Sequence, residues 1–256
     1  MKHRKAAVLV YLLVMFAMPP LQGVCVTLDD AADLYRQRRL DGAITLLREI
    51  RCGLHPADSK KAAALLARCY WTKATYYTED QDARFDLYGR GLDVMREALS
   101  TLGEEPSFYY WQAVLLGERA NLRFSMESLR VAETIKELCK RAIELDPSFE
   151  SGASYVVLGR MYYKLPGLFG GSMKESVRYL LEARRYVEMK PQAERSHTAY
   201  YFLAESYAAL REYEKAVQAL EAGLGCPKNP DAPREDEADY REMNRLLKVL
   251  EQKAGK

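Results

Sequence analysis

The sequence has few of the residues that most catalytic and metal sites require. It contains three histidines in 256 residues, and none has a carboxylate or cysteine at metal-ligand spacing. Gly170-Gly171 lacks the lysine-serine pair of a phosphate-binding loop, and no serine occupies a nucleophile elbow. We therefore expect a protein that is not an enzyme, with no catalytic residue, no metal and no cofactor.

The chain also lacks a strong net charge. It has 38 Lys and Arg against 36 Asp and Glu, a formal charge of +2. The first 24 residues hold three basic residues and no acidic one, so the remainder is close to neutral. This balance argues against nucleic acid as a partner, because such proteins carry a basic surface.

No hydrophobic run in the sequence is long enough to cross a bilayer, which takes roughly 20 residues. The longest is at the N-terminus, where three basic residues precede an apolar run from Ala6 to Met18 and Pro19-Pro20 follows. This order is typical of a secretory signal peptide. We expect a signal peptide over residues 1–24 and a mature domain over residues 25–256, periplasmic or secreted. Val24 disfavours lipidation of Cys25, although a lipoprotein or an uncleaved anchor remains an alternative.

Cysteine is scarce as well. Four cysteines follow the leader: Cys52, Cys69, Cys139 and Cys226. An even number permits two disulfides in an oxidising compartment, and Cys52 with Cys69 is one possible pair. Their spacing matches no metal motif, and buried free thiols are the favoured expectation.

What the sequence does contain is a repeated pattern of helix pairs. Leu158, Gly159 and Tyr162 have the spacing of the first helix of a tetratricopeptide unit, and Ser176, Leu180 and Ala183 that of its second. The pattern returns with fewer interruptions between Tyr200 and Lys228. The small residues let two helices approach closely, and each pair must stack on its neighbours to bury its apolar face.

Apolar periodicity extends this pattern over the whole chain. It predicts an all-α, tetratricopeptide-like α-solenoid of about five helix pairs plus a C-terminal capping helix. The expected helices cover residues 29–37, 40–53, 58–78, 82–101, 106–119, 125–145, 150–164, 173–188, 194–210, 213–225 and 234–253.

An insertion interrupts the fourth unit between its two helices. The added residues are Pro166, Gly167, Leu168, Phe169, Gly170 and Gly171. The proline ends the first helix, and the glycines permit backbone angles that other residues avoid. The apolar tip has two interpretations: it packs against the next repeat, or it contacts a ligand or partner.

The motif register also nominates a binding surface, because the first helices of such units line the concave side. The candidates are Arg68, Trp71, Gln112, Arg119, Arg160, Tyr163, Tyr201 and Glu205, with the third unit ambiguous by two residues. Arginines beside aromatic rings suit an acidic peptide or a carboxylated apolar ligand. The alternative is that each arginine covers its own helix with its aliphatic stem.

Several segments together resemble a known family. They are YYWQAVLLG (109–117), CKRAIELDPSFESGASYVVLGRMYYKLPGLFGG (139–171) and SMKESVRYLLEA (172–183). The combination is similar to the TatT-like tetratricopeptide component associated with tripartite ATP-independent periplasmic (TRAP) transporters. The central region is more weakly similar to regulator-of-microtubule-dynamics proteins, although the leader argues against a cytoskeletal role.

The first resemblance implies a periplasmic accessory that associates with the substrate-binding subunit of a TRAP transporter. Its ligand would be apolar or an organic acid. The alternative is a general cell-envelope scaffold that assembles other proteins through the same concave surface. In both cases the partners are proteins, and a membrane is contacted only through an N-terminal anchor.

Overall fold

The structure is a computed structural model and describes residues 26–123, 126–229 and 233–255. The leader predicted for residues 1–24, and Cys25, lie outside the described residues. Eleven α-helices and no strands are present over the described ranges. They are α1 (Leu28–Arg36), α2 (Leu40–Ile50), α3 (Pro56–Tyr76), α4 (Gln81–Leu102), α5 (Pro106–Leu122), α6 (Met126–Leu145), α7 (Ala153–Lys164), α8 (Met173–Glu188), α9 (Thr198–Ala209), α10 (Tyr213–Leu224) and α11 (Pro233–Lys253).

The predicted helices are therefore confirmed, with three boundaries moved by local turns. Helix α7 begins at Ala153, three residues later than expected, because a 3₁₀ turn over Phe149–Ser151 precedes it. Helix α2 ends at Ile50, and a 3₁₀ turn over Arg51–Gly53 completes the segment expected to be helical. Helix α9 begins at Thr198, four residues later than expected. A separate 3₁₀ turn, Gln192–Glu194, follows Pro191, and Arg195 is extended. The segment that leads into α9 is therefore irregular and not helical.

Helix starts follow from the residues that precede them. Thr27 and Asp30 form a reciprocal capping box at the start of α1. Asp80 accepts a hydrogen bond from the Ala83 amide at 2.7 Å, and Ser172 accepts one from the Glu175 amide at 3.2 Å. These side chains satisfy amides that have no partner within the helix.

The helices form five antiparallel pairs in a single stack, with α11 packed on the last pair. Helices α1, α3, α5, α7 and α9 are the first helices of the pairs, and each contacts the next one along the series. The second helices pack outside them. The first helices therefore form the inner layer of a solenoid, and the all-α tetratricopeptide-like architecture is confirmed.

The contact between α7 and α8 shows why small residues are needed. Leu158, Gly159, Leu180 and Ala183 are all buried. A Cβ atom on Gly159 would lie 2.5 Å from Leu180 Cγ, a distance that real Cβ contacts do not adopt. Ser176 Oγ donates a hydrogen bond to the Gly159 carbonyl oxygen at 2.8 Å. Glycine at this position therefore permits the close approach that joins the pair.

A buried hydroxyl pair joins the fourth unit to the fifth. Ser176 Oγ lies 2.8 Å from Ser206 Oγ on α9, and both serines are inaccessible to solvent. The tetratricopeptide pattern usually has alanine at the position of Ser176. Here the hydroxyl adds a polar contact between adjacent units, and the neighbouring apolar packing is retained.

The two ends of the solenoid meet across its inner side. Arg38, in the turn between α1 and α2, lies 3.2 Å from the carboxylate of Glu235 in the first turn of α11. These side chains are only 14% and 10% exposed. The first pair and the capping helix are therefore in direct contact, and the inner surface is enclosed on two sides.

None of the helices in the described ranges combines the length and apolarity needed to cross a bilayer. Cys69, Cys139 and Cys226 are buried free thiols, as expected, so the considered pairing of Cys52 with Cys69 is not formed. Burial raises the pKa of the Cys69 thiol to about 12, which keeps this group protonated and unreactive at neutral pH.

We predict that Gly159→Ala destabilises the fold by about 1–3 kcal/mol, because its methyl group overlaps Leu180 and forces α7 and α8 apart. Gly42→Ala is the matched control. It also lies in a helix, but its Cβ would be 3.6 Å from Leu34, an ordinary contact. Helix propensity then favours alanine by up to about 1 kcal/mol. Urea unfolding of both variants measures the difference, and a Gly159→Ala protein as stable as the wild type would contradict the packing described.

A second prediction concerns the contact between the two ends. Arg38 and Arg211 both have left-handed backbone angles, with φ of 58° and 61°. Glycine relieves that strain in both variants. Arg211→Gly should stay within about 1 kcal/mol of the wild type, because Arg211 is exposed. Arg38→Gly should lose about 3 kcal/mol, because Glu235 then stays buried without its cation. Equal stabilities in chemical denaturation would show that the Arg38–Glu235 pair contributes nothing.

Candidate binding site on the inner surface

A cavity of about 410 Å³ lies where the first units face the capping helix. Its residues come from three regions that are far apart in the sequence. They are Tyr35, Arg38, Arg68, Trp71, Thr72 and Tyr76 of the first two units, residues 193–198 before and at the start of α9, and Pro227, Lys228, Asn229, Glu235, Asp236 and Asp239 at the cap. The volume falls within the roughly 300–1,000 Å³ of ligand pockets.

One wall of the cavity is aromatic. Trp71 meets Tyr76 edge to face, with ring centroids 5.7 Å apart, and Trp111 lies 5.8 Å from Trp71 on its other side. Tyr35 is tied to this wall by a 3.2 Å hydrogen bond between its hydroxyl and Thr72 Oγ1. Trp71 is half-buried, and its buried indole N–H is directed to the Glu118 carboxyl, away from solvent. The wall thus offers apolar ring faces.

The opposite wall carries carboxylates from the start of α11. Asp236 accepts a hydrogen bond from the Asn229 amide at 2.5 Å, and Asp239 lies 3.0 Å from His197 Nε2. These contacts attach the loop after α10 and the start of α9 to the cap. Together with Glu235 they place three acidic side chains at the cavity. Burial of the Tyr76 ring and the negative charge of these carboxylates raise the pKa of Tyr76 above its usual range.

Two of the residues nominated by the motif register, Arg68 and Trp71, line this cavity. The Arg68 guanidinium lies 5.5 Å from the centre of the Tyr35 ring and 3.8 Å from the Glu150 carboxylate. Its side chain is 41% exposed. Arg68 is therefore the predicted arginine that faces both solvent and the aromatic wall.

The predicted residues of the fourth and fifth units lie together further along the inner surface, and two of them bind each other. Arg160 Nη1 donates to the Glu205 carboxylate at 2.6 Å. Its guanidinium also stacks 3.9 Å from the centre of Phe202 and 5.0 Å from that of Tyr163. Tyr201 is half-buried beside Phe202, and burial raises the pKa of its hydroxyl to about 12. Arg160 is thus already neutralised and stacked.

The two candidates of the third unit lie elsewhere. Gln112 is buried at 8% exposure. Arg119 packs against α4, where its guanidinium lies 3.9 Å from the centre of the Phe85 ring and lines a separate hollow beside Asp86 and Asp93. The expectation that Arg119 joins Arg68 and Arg160 in one groove is therefore wrong, because residue 119 faces the second helix of the preceding unit.

Two features of the inner surface were not predicted. Glu118, next to Arg119 in sequence, is close to Trp71 and Arg160, and burial raises the pKa of its carboxyl. The acidic side chains Glu235, Asp236 and Asp239 of α11 line the cavity, although only a capping role was expected for this helix. The position of Glu118 follows from helix geometry, since each residue turns a helix by about 100°. The position of the α11 carboxylates follows from the curvature of the solenoid, which brings its cap to the first unit. The spacing of residues along the sequence predicts neither position.

The tip of the insertion loop is exposed. It forms a 3₁₀ turn over Gly167–Phe169, and Leu168 and Phe169 are 96% and 45% exposed. Leu168 therefore does not pack against the next repeat. Among the described residues, no group of histidine, cysteine, aspartate or glutamate side chains could hold a metal ion.

Solved structures support the fold. A tetratricopeptide protein from Thermus thermophilus aligns over 85% of this chain and 95% of its own, with a TM-score of 0.60 and 17% identity. A signal-transduction ATPase of Pyrococcus horikoshii with a tetratricopeptide repeat sensor aligns over 87% of this chain and 31% of its own, with a TM-score of 0.50 and 16% identity. At these identities the similarity shows the fold alone.

No significant match is found among curated protein sequences. A family match covers residues 27–168, more than half of the chain, and includes α1 to α7 and the start of the insertion loop. The chain thus belongs to the family described as regulator of microtubule dynamics protein 1-3 and has a tetratricopeptide-like fold.

Proposed function

We propose that this protein is a non-catalytic binding module whose inner surface holds an extended segment of a partner protein. The cavity beside Trp71 carries the proposal. It places aromatic ring faces, hydrogen-bonding groups and charges of both signs around one opening. An extended peptide offers side chains on both sides and backbone groups that accept and donate hydrogen bonds, so it can use all of these features.

The charges around the cavity favour a partner segment that carries both apolar and basic side chains over a purely acidic segment. Of the three arginines first considered for an acidic ligand, Arg160 is paired with Glu205 and Arg119 faces α4. Arg68 lines the cavity, but it already lies 3.8 Å from the Glu150 carboxylate, and the cap presents Asp236 and Asp239 opposite the aromatic wall. We expect an apolar side chain of the partner to pack on Trp71 and Tyr76, with a basic neighbour directed toward the cap.

We also propose a partner and a cellular compartment for this protein. The leader pattern and the resemblance over residues 109–183 support an exported protein that associates with the substrate-binding subunit of a TRAP transporter. A general envelope scaffold is the alternative, since it would use the same surface. The family match favours a third candidate, a partner in the microtubule system.

Site-specific photocrosslinking tests the site and the partner in one experiment. A photoreactive phenylalanine analogue replaces Tyr76 at the cavity or, as the control, Tyr109, which lies outside the cavity and donates to Glu104 at 2.6 Å. We expect Tyr76 to capture proteins that Tyr109 does not. Recovery of a transporter subunit, of other envelope proteins or of tubulin selects among the three candidates. Identical captures at both positions would contradict the inner surface as the site.

We further predict that Trp71→Ala weakens binding of the captured partner at least about tenfold, since a central aromatic residue often dominates an interface. Trp71→Phe should lose less, because it keeps an apolar ring. Arg119→Ala should leave the affinity unchanged, since Arg119 faces α4. Calorimetry or fluorescence anisotropy measures all three. A loss with Arg119→Ala equal to that with Trp71→Ala would place the interface elsewhere.

A further inference from the structure

The insertion loop between α7 and α8 presents two apolar side chains to solvent. Leu168 is 96% exposed and Phe169 is 45% exposed. Exposed large apolar residues that stand alone are common, but a leucine and a phenylalanine together at the tip of a protruding loop are unusual. The fold leaves Leu168 almost wholly in water and covers only about half of Phe169.

The loop is held in one conformation by its own backbone. The amides of Phe169 and Gly171 both donate to the Pro166 carbonyl, at 2.9 and 3.1 Å. The Ser172 amide donates to the Tyr162 carbonyl at 3.0 Å and closes the base. A Cβ on Gly171 would lie 1.7 Å from the Leu165 carbonyl oxygen, so this closure requires glycine. The tip is therefore preformed and loses little conformational entropy on binding.

The same hydrogen bonds make the tip compatible with an apolar medium. A backbone amide placed in hydrocarbon without a partner carries a large penalty. The amides of residues 169 to 172 all donate within the loop or to α7, whereas those of Gly167 and Leu168 have no backbone acceptor among the described residues. Insertion is therefore shallow: the Leu168 and Phe169 side chains leave water, and the amides of residues 167 and 168 stay at the hydrated headgroups.

Lysines flank the tip on both sides. Lys164 ends α7 and Lys174 lies in the first turn of α8, so both stand close to the closed base of the loop. Both are exposed, and neither has an acidic partner among the described residues. In contrast, the neighbouring Arg178 is bound to Glu175 at 2.6 Å. Two uncompensated positive charges therefore surround the Leu168–Phe169 tip.

We propose that this loop docks on an anionic lipid bilayer, with Leu168 and Phe169 inserted among the acyl chains and Lys164 and Lys174 at the headgroups. A convex apolar tip with basic flanks suits a bilayer, which yields around a protrusion, whereas a protein partner would need a matching pocket. The proposal concerns a surface separate from the inner cavity and does not depend on the function proposed for it.

The test uses the full chain and a local reporter, because the N-terminal apolar segment can itself attach to vesicles. Phe169→Trp places an indole at the tip, and the signal of Trp71 and Trp111 is subtracted with the wild-type protein. Met189→Trp is the matched control. Met189 is also apolar and 78% exposed, but it lies at the far end of α8, about 24 Å along the helix.

With vesicles of about 30% phosphatidylglycerol in phosphatidylcholine that carry brominated acyl chains, we expect the Trp at position 169 to shift to the blue. We also expect it to be quenched several times more strongly than the Trp at position 189. Adding Lys164→Gln and Lys174→Gln should weaken the vesicle affinity read from the quenching at position 169 about tenfold at low salt, with a smaller effect at high salt. No quenching at position 169, equal quenching at both positions, or equal quenching at position 169 with pure brominated phosphatidylcholine would overturn the proposal.

Discussion

The close approach of helices at small residues is the constraint on which the rest of the structure depends. Gly159 lets Leu180 fill the space between α7 and α8. Gly91 and Gly223 have the same task, since a Cβ there would lie 2.9 Å from Leu115 and 2.6 Å from Met243. Each contact sets the distance between neighbouring helices, and these distances add up along the stack. A larger side chain at any of these positions would change the curvature of the solenoid as well as its stability.

Curvature in turn creates the cavity. The cavity is not the product of one unit: its aromatic wall comes from α1 and α3, and its acidic wall from α11. The contact between Arg38 and Glu235 holds these walls at a fixed distance. Because the pair is nearly buried, its attraction is screened much less than that of a surface ion pair. The stability of the fold and the shape of the candidate site therefore depend on the same contacts.

The sequence was sufficient for the helices, their pairing and the inner position of Arg68 and Trp71, because each of these follows from local spacing. It was insufficient for Arg119 and Glu118, because these neighbours on α5 face different sides and the register of the third unit was ambiguous by two residues. It was also insufficient for the acidic residues of α11, whose proximity to Tyr76 is set by the curvature of the whole stack. The exposure of Leu168 likewise depends on the course of the loop, which the glycine pattern permits without specifying.

The cavity and the insertion loop differ in shape and in construction, and this difference would allow one scaffold to bind two partners. The cavity is concave, mixed in charge and built from distant parts of the chain, so small changes in helix packing alter it. The loop is convex and closed by its own backbone, and its hydrogen bonds reach no further than α7. Movement within the stack would therefore change the cavity while leaving the tip intact. A rigid tip at one edge can position the protein at a surface without restricting the inner face, which remains open to a second partner.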